Sequence, residues 1–392
     1  MKICYFIFTR SHGRGGHYYS LRTTAEAIQK KCECLIIDIG LAPSPIIKQS
    51  IIKSHHIYFN GFNIITVMGK VFRLLKQEKP DVLHAFDEHS YTIARFAGTH
   101  FRKAIMLTKC GGSNPGRFYP YAKNIIVYST ENKLFFNTKE KFLNSNVSYI
   151  PNRVSETKQD YERIARLRSK FGIDKETPTI LRIARFSPLH RLPFLQSIYL
   201  TRKLNEEGQK CNLLIIGVVE DGHILEEITK CSDDNIKIVT DDKFTLNASE
   251  LIDIADFVVG TGRGLMEAAA RSKILLAPLH NSKCPVLVSN NNFDSLLSHN
   301  FSIRSRIEYF NEHDNFSKIS ELISDSEMRK KYCSQAMYWY VNRFCIDTVI
   351  EHYCKLYSTA SFKCRSRPFD FLINVARCLR SAARYRSLQY RE

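Results

Sequence analysis

The sequence predicts an α/β protein made of two doubly wound domains in tandem. Three observations lead there. Short apolar runs rich in β-branched and aromatic residues alternate with longer amphipathic stretches. The rhythm stops once, at Ile150-Pro151-Asn152-Arg153, and then restarts. The chain has 392 residues, and at roughly 150 residues per domain that gives two or three domains, each able to bury a core.

The elements follow in order. Ile3–Phe8 reads as a buried strand, and Tyr18–Gln29 as a helix with Leu21, Ala25 and Ile28 on one face. Cys34–Asp38 is a strand. Ile64–Lys76 is a helix with Val67, Val71 and Leu74–Leu75 apolar, and Asp81–Ala85, Ala104–Leu107 and Asn124–Ser129 are further strands. This βαβ alternation implies a mostly parallel sheet covered on both faces. A charged stretch, Glu156 to Lys170, separates it from the restart. Strand Thr179–Ile183, helix Leu192–Leu204 and strand Asn212–Ile216 come next, then strand Ile236–Val239 and helix Ala248–Ile254. Strand Phe257–Gly260, helix Leu265–Arg271 and strand Ile274–Pro278 complete the second unit. The chain after Lys318 reads as helical. The domains expected are residues 1–150 and 151–345, with a tail over 361–392. Each doubly wound unit has its ligand edge at the carboxyl ends of its strands, and two such edges facing each other would form a central cleft.

Charge narrows the partners. Lys plus Arg is 57 against 39 acids, a net charge of +18, which favours anionic partners such as phosphorylated substrates or an acidic membrane surface. No interleaved Arg/aromatic patch lies outside the tail, so specific nucleic-acid binding is not expected. The 12 cysteines contain no Cys-x-x-Cys and no zinc spacing; they read as reduced thiols of a cytoplasmic protein. The six-residue run Ile3–Phe8 is too short for a signal core of roughly 7–15 residues, and no apolar run approaches the roughly 20 residues of a spanning helix. His12, His17, His84 and His89 do not share a helical face, and no Asp-x-Asp occurs. No metal and no cofactor beyond a bound substrate are expected.

Four segments could carry chemistry. Gly13-Arg14-Gly15-Gly16-His17 joins the first strand to the first helix, where glycines let backbone N–H groups approach a phosphate; an ordinary tight turn explains it equally well. Gly260-Thr261-Gly262-Arg263-Gly264-Leu265-Met266-Glu267 also joins strand to helix and gathers glycines, a cation and a helix N-terminus. There Glu267 either accepts hydrogen bonds from sugar hydroxyls or merely complements the helix dipole. Leu181-Arg182-Ile183-Ala184-Arg185 and Pro188-Leu189-His190-Arg191 follow the first strand of the second unit, putting Arg185, His190 and Arg191 at the cleft mouth as a clamp for a departing phosphate. Thr108-Lys109-Cys110-Gly111-Gly112 is a strand-to-loop transition in which Lys109 binds an acceptor phosphate or simply forms a surface turn.

In this order the segments resemble GT-B-fold glycosyltransferases, close to the retaining family 4 group, over roughly residues 1–357. The resemblance rests on Gly15-Gly16 after the first strand, Asp81-Val82-Leu83-His84-Ala85-Phe86-Asp87, Ile150-Pro151-Asn152, Arg185, Ala255-Asp256 and Glu267-Ala268. Phe344 and the Tyr353–Tyr357 region are similar to the final helices that cross back to the first domain, here over 346–360. The fold implied is two Rossmann-like domains. The function implied is metal-independent hexosyl transfer, with retention, from a nucleotide-sugar to a glycan or lipid-linked acceptor in surface polysaccharide or glycolipid synthesis. Asp87, Arg185 and Arg191 would be catalytic. Gly15, Gly16, His190, Gly262, Arg263, Gly264 and Glu267 would bind the donor, and His84 and Lys109 would face the acceptor. The sequence departs from the pattern at Val259, eight residues before Glu267, and at His190, Phe86 and Arg153. A nucleotide-sugar epimerase or hydrolase of the same fold, or an inactive anion-binding homologue, are the alternatives.

The tail from Ser361 carries eight Lys/Arg and two acids. At 100° per residue Leu372, Val375, Leu379 and Ala383 share one face, and Arg377, Arg380, Arg384 and Arg391 share another. Such a helix can lie on an anionic bilayer at the inner face of a membrane; a terminal helix docked on the protein body is the alternative.

Overall fold

The computed structural model describes residues 1–10, 13–362 and 367–389, with side chains described up to Arg384. The chain divides into two units. The first comprises Met1–Arg153 and Ile346–Glu392, and the second Val154–Cys345. The division falls just past the Pro-Asn segment, and the chain returns to the first unit after Cys345.

In the first unit, β1 (Lys2–Thr9), α1 (Gly16–Ile28), β2 (Glu33–Gly40), the single turn α2 (Pro45–Lys48), β3 (Ser54–Tyr58) and α3 (Ile64–Glu78) run in order. β4 (Val82–Ala85), α4 (Glu88–His100), β5 (Ala104–Lys109), β6 (Asn124–Val127), α5 (Thr130–Thr138) and β7 (Asn146–Tyr149) follow. The seven strands order β3-β2-β1-β4-β5-β6-β7, and every pairing is parallel. Strands buried on both faces must be apolar throughout, and Ile3 to Phe8 all lie in the core. Each such side chain contributes roughly 1.5–3 kcal/mol on full burial.

Two helices here escape an amphipathic reading. α4 is nearly all buried, from His89 to Arg95 and again at Ala97 and Gly98, so it shows no polar stripe. β3 and α5 are short and mostly polar. The sequence order reverses between β1 and β4, which makes their carboxyl ends the switch point where doubly wound sheets bind ligands.

The second unit opens with α6 (Tyr161–Phe171), inside the stretch read only as charged. Asp160 caps it by accepting the Arg163 N–H, Ile164 and Leu167 are its buried positions, and Gly172 ends it in the left-handed region. β8 (Thr179–Ile183), α7 (Arg191–Glu206), β9 (Asn212–Ile216), α8 (Gly222–Thr229), β10 (Ile236–Val239) and the short α9 (Asp242–Thr245) follow. Ala248–Ile254, expected as an α-helix, is a 3-10 helix. Then come β11 (Phe257–Val259), α10 (Arg263–Ala270), β12 (Ile274–Ala277), β13 (Val286–Leu287), α11 (Phe293–Ser298), α12 (Glu312–Ser324) and α13 (Ser326–Trp339). The six strands order β10-β9-β8-β11-β12-β13, with β13 alone antiparallel. One face packs with α10 and α13, including Leu265, Met266 and Trp339; the other packs with α7 and α12, including Phe194 and Phe316. The switch point lies between β8 and β11.

α14 (Ile350–Thr359) and α15 (Pro368–Gln389) rejoin the first unit. α15 docks on the body through Cys378 and Ala382, which enter the first unit's core. Asp370 fixes its start, accepting from Arg95 Nη1 at 2.9 Å and from the Tyr121 N–H at 3.0 Å, and pairing with Lys141. The expected apolar face is therefore split. Its buried positions are Asn374, Cys378 and Ala382, while Leu372 is 62 % exposed beside Phe369 at 81 %. Arg380 and Arg384 are exposed, and Arg391 lies outside the described residues. Among the described residues no helix is long and apolar enough to cross a membrane.

Candidate functional site

Each unit gathers polar residues at its own switch point. In the second unit β8 ends at Ile183, and its Arg182 is 1 % exposed. Arg182 Nη1 donates to the Val259 carbonyl at 2.9 Å, bridging β8 to the end of β11. Its guanidinium lies 5.8 Å from the Phe194 ring centroid. Nε and Nη2 have no hydrogen-bond partner among the described residues, and neither does the buried Ser187 Oγ. Burial pulls the Arg182 pKa down to about 10.

Arg185 and Arg191 turn the other way, toward β9 and α8. Arg185 Nη1 meets Glu220 Oε1 at 2.7 Å, and Arg191 forks onto Glu227, with Nε to Oε2 at 2.7 Å. Both pairs are solvent-exposed and worth little to stability. Arg191, expected as a diphosphate clamp, is thus held on α8 by a carboxylate. His190 ends the turn Pro188–His190. Burial, then Arg182 and Arg185, depress its pKa to about 3, so the ring is neutral.

The glycine loop after β11 starts α10. Gly262 is its N-cap at φ 50°, ψ −122°, a region L side chains rarely adopt, and a Cβ there would meet Asn300 Nδ2 at 2.7 Å. A Cβ on Gly264 would meet nothing within 4 Å. Gly262 is demanded by the fold; Gly264 is not. Arg263 Nε donates to Glu267 Oε1 at 2.8 Å, one turn on, and both side chains are largely buried. Burial outweighs Arg263 and raises the Glu267 pKa.

In the first unit a cavity of about 440 Å³ opens at the β1/β4 switch point. Arg10, Asp87, Lys109 and Arg377 line it, with His17 and Thr108. Asp87 caps α4. It accepts the Phe8 N–H at 2.7 Å, the His89 and Ser90 N–H groups at 2.9 and 2.8 Å, and the Ser90 hydroxyl at 2.8 Å. Burial pushes its pKa up against those donors and Arg10. This is the work of a helix cap, with a carboxylate already engaged on every side. Lys109 turns its amine onto the Gly111 carbonyl.

His84, expected to face the acceptor, lies beneath this wall with 0 % exposure. Its ring nitrogens meet Tyr357 Oη at 2.9 Å and Thr108 Oγ1 at 2.7 Å. Tyr357 Oη reaches Tyr5 Oη at 3.0 Å, tying α14 to β1. Burial takes the His84 pKa to about 3; it is a neutral link in the core. Gly15 caps α1 without a positive φ, and Gly16 faces open space. Asn152 of the Pro-Asn segment accepts from Ser20 Oγ of α1 at 3.0 Å. Among the described residues no three His, Cys, Asp or Glu side chains gather as a metal site.

Sequence reasoning missed Arg182 and Arg377. The signal for Arg182 was an arginine set inside an otherwise apolar strand, Thr-Ile-Leu-Arg-Ile. Arg377 was grouped with the bilayer-facing cations because helix periodicity cannot say what a face packs against.

Solved structures resemble this architecture over nearly the whole chain. A glycosyltransferase from Rickettsia africae superposes with a TM-score of 0.67 at 16 % identity, covering 91 % of this chain and 97 % of its own. The fold is GT-B. HepE from Anabaena, in complex with UDP and glucose, gives 0.64 at 15 % identity over 92 % of this chain and 100 % of its own. A Listeria monocytogenes protein assigned as a UDP-N-acetylglucosamine 2-epimerase gives 0.57 at 12 % identity, covering 91 % and 96 %. The chain matches no protein-family model, and no curated protein matches it in sequence. Doubly wound units bind ligands at such switch points, which lie here between β8 and β11 and between β1 and β4.

Proposed function

We propose that this GT-B protein is a glycosyltransferase that moves a hexose from a nucleotide-sugar to a glycan or lipid-linked acceptor. The observation that carries this is the cationic, glycine-lined crevice at the β8/β11 switch point. Arg182 and the Gly262–Gly264 turn meet there, with the Glu267 carboxylate one helical turn beyond and Arg185, nearby in the chain, held by Glu220. Such a crevice suits a diphosphate flanked by sugar hydroxyls. Structural neighbours crystallised with UDP and with UDP-glucose support a nucleotide-sugar as its occupant.

In this reading Arg185 exchanges its exposed Glu220 partner for the diphosphate, His190 donates a neutral hydrogen bond, and Glu267 accepts from the sugar. Protein cations neutralise the leaving group, so transfer proceeds without a metal ion. Retention follows from the resemblance to the family 4 group, with the leaving phosphate oxygen taking the acceptor proton. Peripheral attachment to the inner face of an anionic membrane is supported by α15, whose outer side presents Phe369, Leu372 and Ile373 followed by Arg380 and Arg384. In this reading the protein works in polysaccharide or glycolipid synthesis, as its resemblance to the family 4 group implies.

A thermal-shift series with UDP, GDP, ADP and CMP, with and without EDTA, tests the donor site. A ligand at 100 times its Kd adds about 2.7 kcal/mol. One nucleotide should raise the melting temperature by several degrees, equally in EDTA; no response to any of the four would overturn the assignment. Consumption of the nucleotide-sugar with no acceptor present would instead favour the epimerase or hydrolase reading.

A further inference from the structure

We infer that the cavity at the β1/β4 switch point takes an acceptor bearing a phosphate or carboxylate, and that Arg377 of the last helix sets this preference. The inference rests on the glycosyltransferase reading and names the acceptor's chemistry. Cations reach the cavity from three separate segments: Arg10 after β1, Lys109 at the end of β5, and Arg377 from α15. Two acids share the wall, and the fold engages both. Asp87 is surrounded by four donors of the α4 cap and β1. Glu88 Oε1 accepts from Arg377 Nη2 at 3.0 Å, with His89 Nε2 at 3.8 Å. Arg10 makes no ion pair among the described residues; its guanidinium lies 5.8 Å from the Phe8 ring centroid.

Three cations against two engaged carboxylates leave a positive cavity, which a neutral sugar does not offset and a phosphate does. The neighbouring His89 reports the same field: its pKa is held at about 3 by burial, then by Arg10 and Arg377. Arg377 is built in place. Nη1 donates to the Phe118 carbonyl at 2.7 Å and to Asn374 Oδ1 at 3.1 Å, while the Asp370 anchor fixes the helix. A guanidinium so restrained loses little freedom on gripping an anion, and its fork suits phosphate or carboxylate. Ser113 and Asn114 on the same wall offer hydrogen bonds to hydroxyls.

The test uses the full chain. Glucose, glucose 6-phosphate, glucuronate and dihexanoylphosphatidylglycerol below its micelle concentration are titrated calorimetrically, with UDP binding measured alongside. An anionic probe should bind at least about tenfold more tightly than glucose. Arg377→Ala should reduce that preference to within about twofold, Arg377→Lys should restore part of it, and Lys70→Ala, on the exposed side of α3, should leave it intact. Preference for glucose 6-phosphate or glucuronate identifies a soluble anionic sugar, and preference for the lipid identifies a lipid phosphate; either supports the inference. It is overturned if glucose binds as well as the anions, or if Lys70→Ala weakens them as much as Arg377→Ala. UDP binding should be unchanged in every variant, so failure of the donor site is seen separately.

Discussion

Replacing Arg182 with Met should make the ligand-free protein more stable and its nucleotide complex weaker. Arg182 is a buried cation with one carbonyl partner and no ion pair among the described residues. The fall of its pKa below the ordinary arginine value to about 10 corresponds to about 3 kcal/mol against the charged form. The folded value lies below the unfolded one, so the penalty is complete below pH 10 and fades only as pH rises toward 12.5. At pH 7.5 methionine removes all of it and fills similar space. The lost bond to Val259 returns about 1–2 kcal/mol, leaving a net gain of about 1–2 kcal/mol. For a unit of this size that is roughly 2–8 °C in melting temperature.

The opposite effect appears with ligand. At an assumed separation of about 8 Å and an effective dielectric of about 20, a doubly charged diphosphate would gain up to about 4 kcal/mol from Arg182. Even with half of that screened, UDP affinity should fall at least tenfold. Calorimetric melts of both proteins, with and without UDP, measure the two effects together. A ligand-free variant less stable by more than about 1 kcal/mol would refute the account of an uncompensated charge. An unchanged UDP response would refute its role at the crevice.

Other outcomes follow from the same geometry. His84 and His89 are both held neutral, with pKa values near 3, so the unfolded chain takes up protons the fold refuses as pH drops below 6.5. Each costs about 2 kcal/mol by pH 5; melts at pH 7.5 and 5 should show it, His84→Gln should flatten the acid limb, and a flat profile in the parent protein would contradict it. Gly262→Ala should cost about 1–3 kcal/mol from its backbone geometry and the Asn300 clash, whereas Gly264→Ala should leave denaturant midpoints unchanged and weaken only nucleotide binding. Asp370→Ala strands the largely buried Arg95 and should cost about 3–5 kcal/mol locally, seen as faster hydrogen exchange over 367–384 with β1 still protected.

The alternation of strands and helices was legible because parallel strands must be apolar on both faces, and Ile3–Phe8 or Leu213–Ile216 can be little else. α4 and α6 were harder for opposite reasons. α4 is buried nearly all round and shows no stripe, while α6 buries only Ile164 and Leu167 among charges. The loops that carry the site were legible as glycine- and arginine-rich strand ends, but not the direction of their side chains. Arg182, Arg185 and Arg191 differ by a few residues in sequence. Arg182 crosses to β11 while the other two reach Glu220 and Glu227, and only the sheet order decides which side of β8 is the switch point.

The last helix carries more than a bilayer anchor would need. In the structure Cys378 and Ala382 close the first unit's core, and Gly61 sits against its backbone so closely that a Cβ would lie 2.9 Å from the Leu379 carbonyl. Arg377 meanwhile enters the cavity wall. Truncation therefore mixes three losses: core packing, a cation of the cavity wall and the outer apolar stripe. Point variants separate them. Leu372→Ser with Ile373→Ser touches only the exposed stripe and should abolish cosedimentation with anionic vesicles while sparing binding of glucose 6-phosphate. Arg377→Ala should do the reverse. If the serine pair instead weakened the soluble anion as much as Arg377→Ala does, the stripe and the cavity would be one surface, and the division of labour along α15 would be wrong.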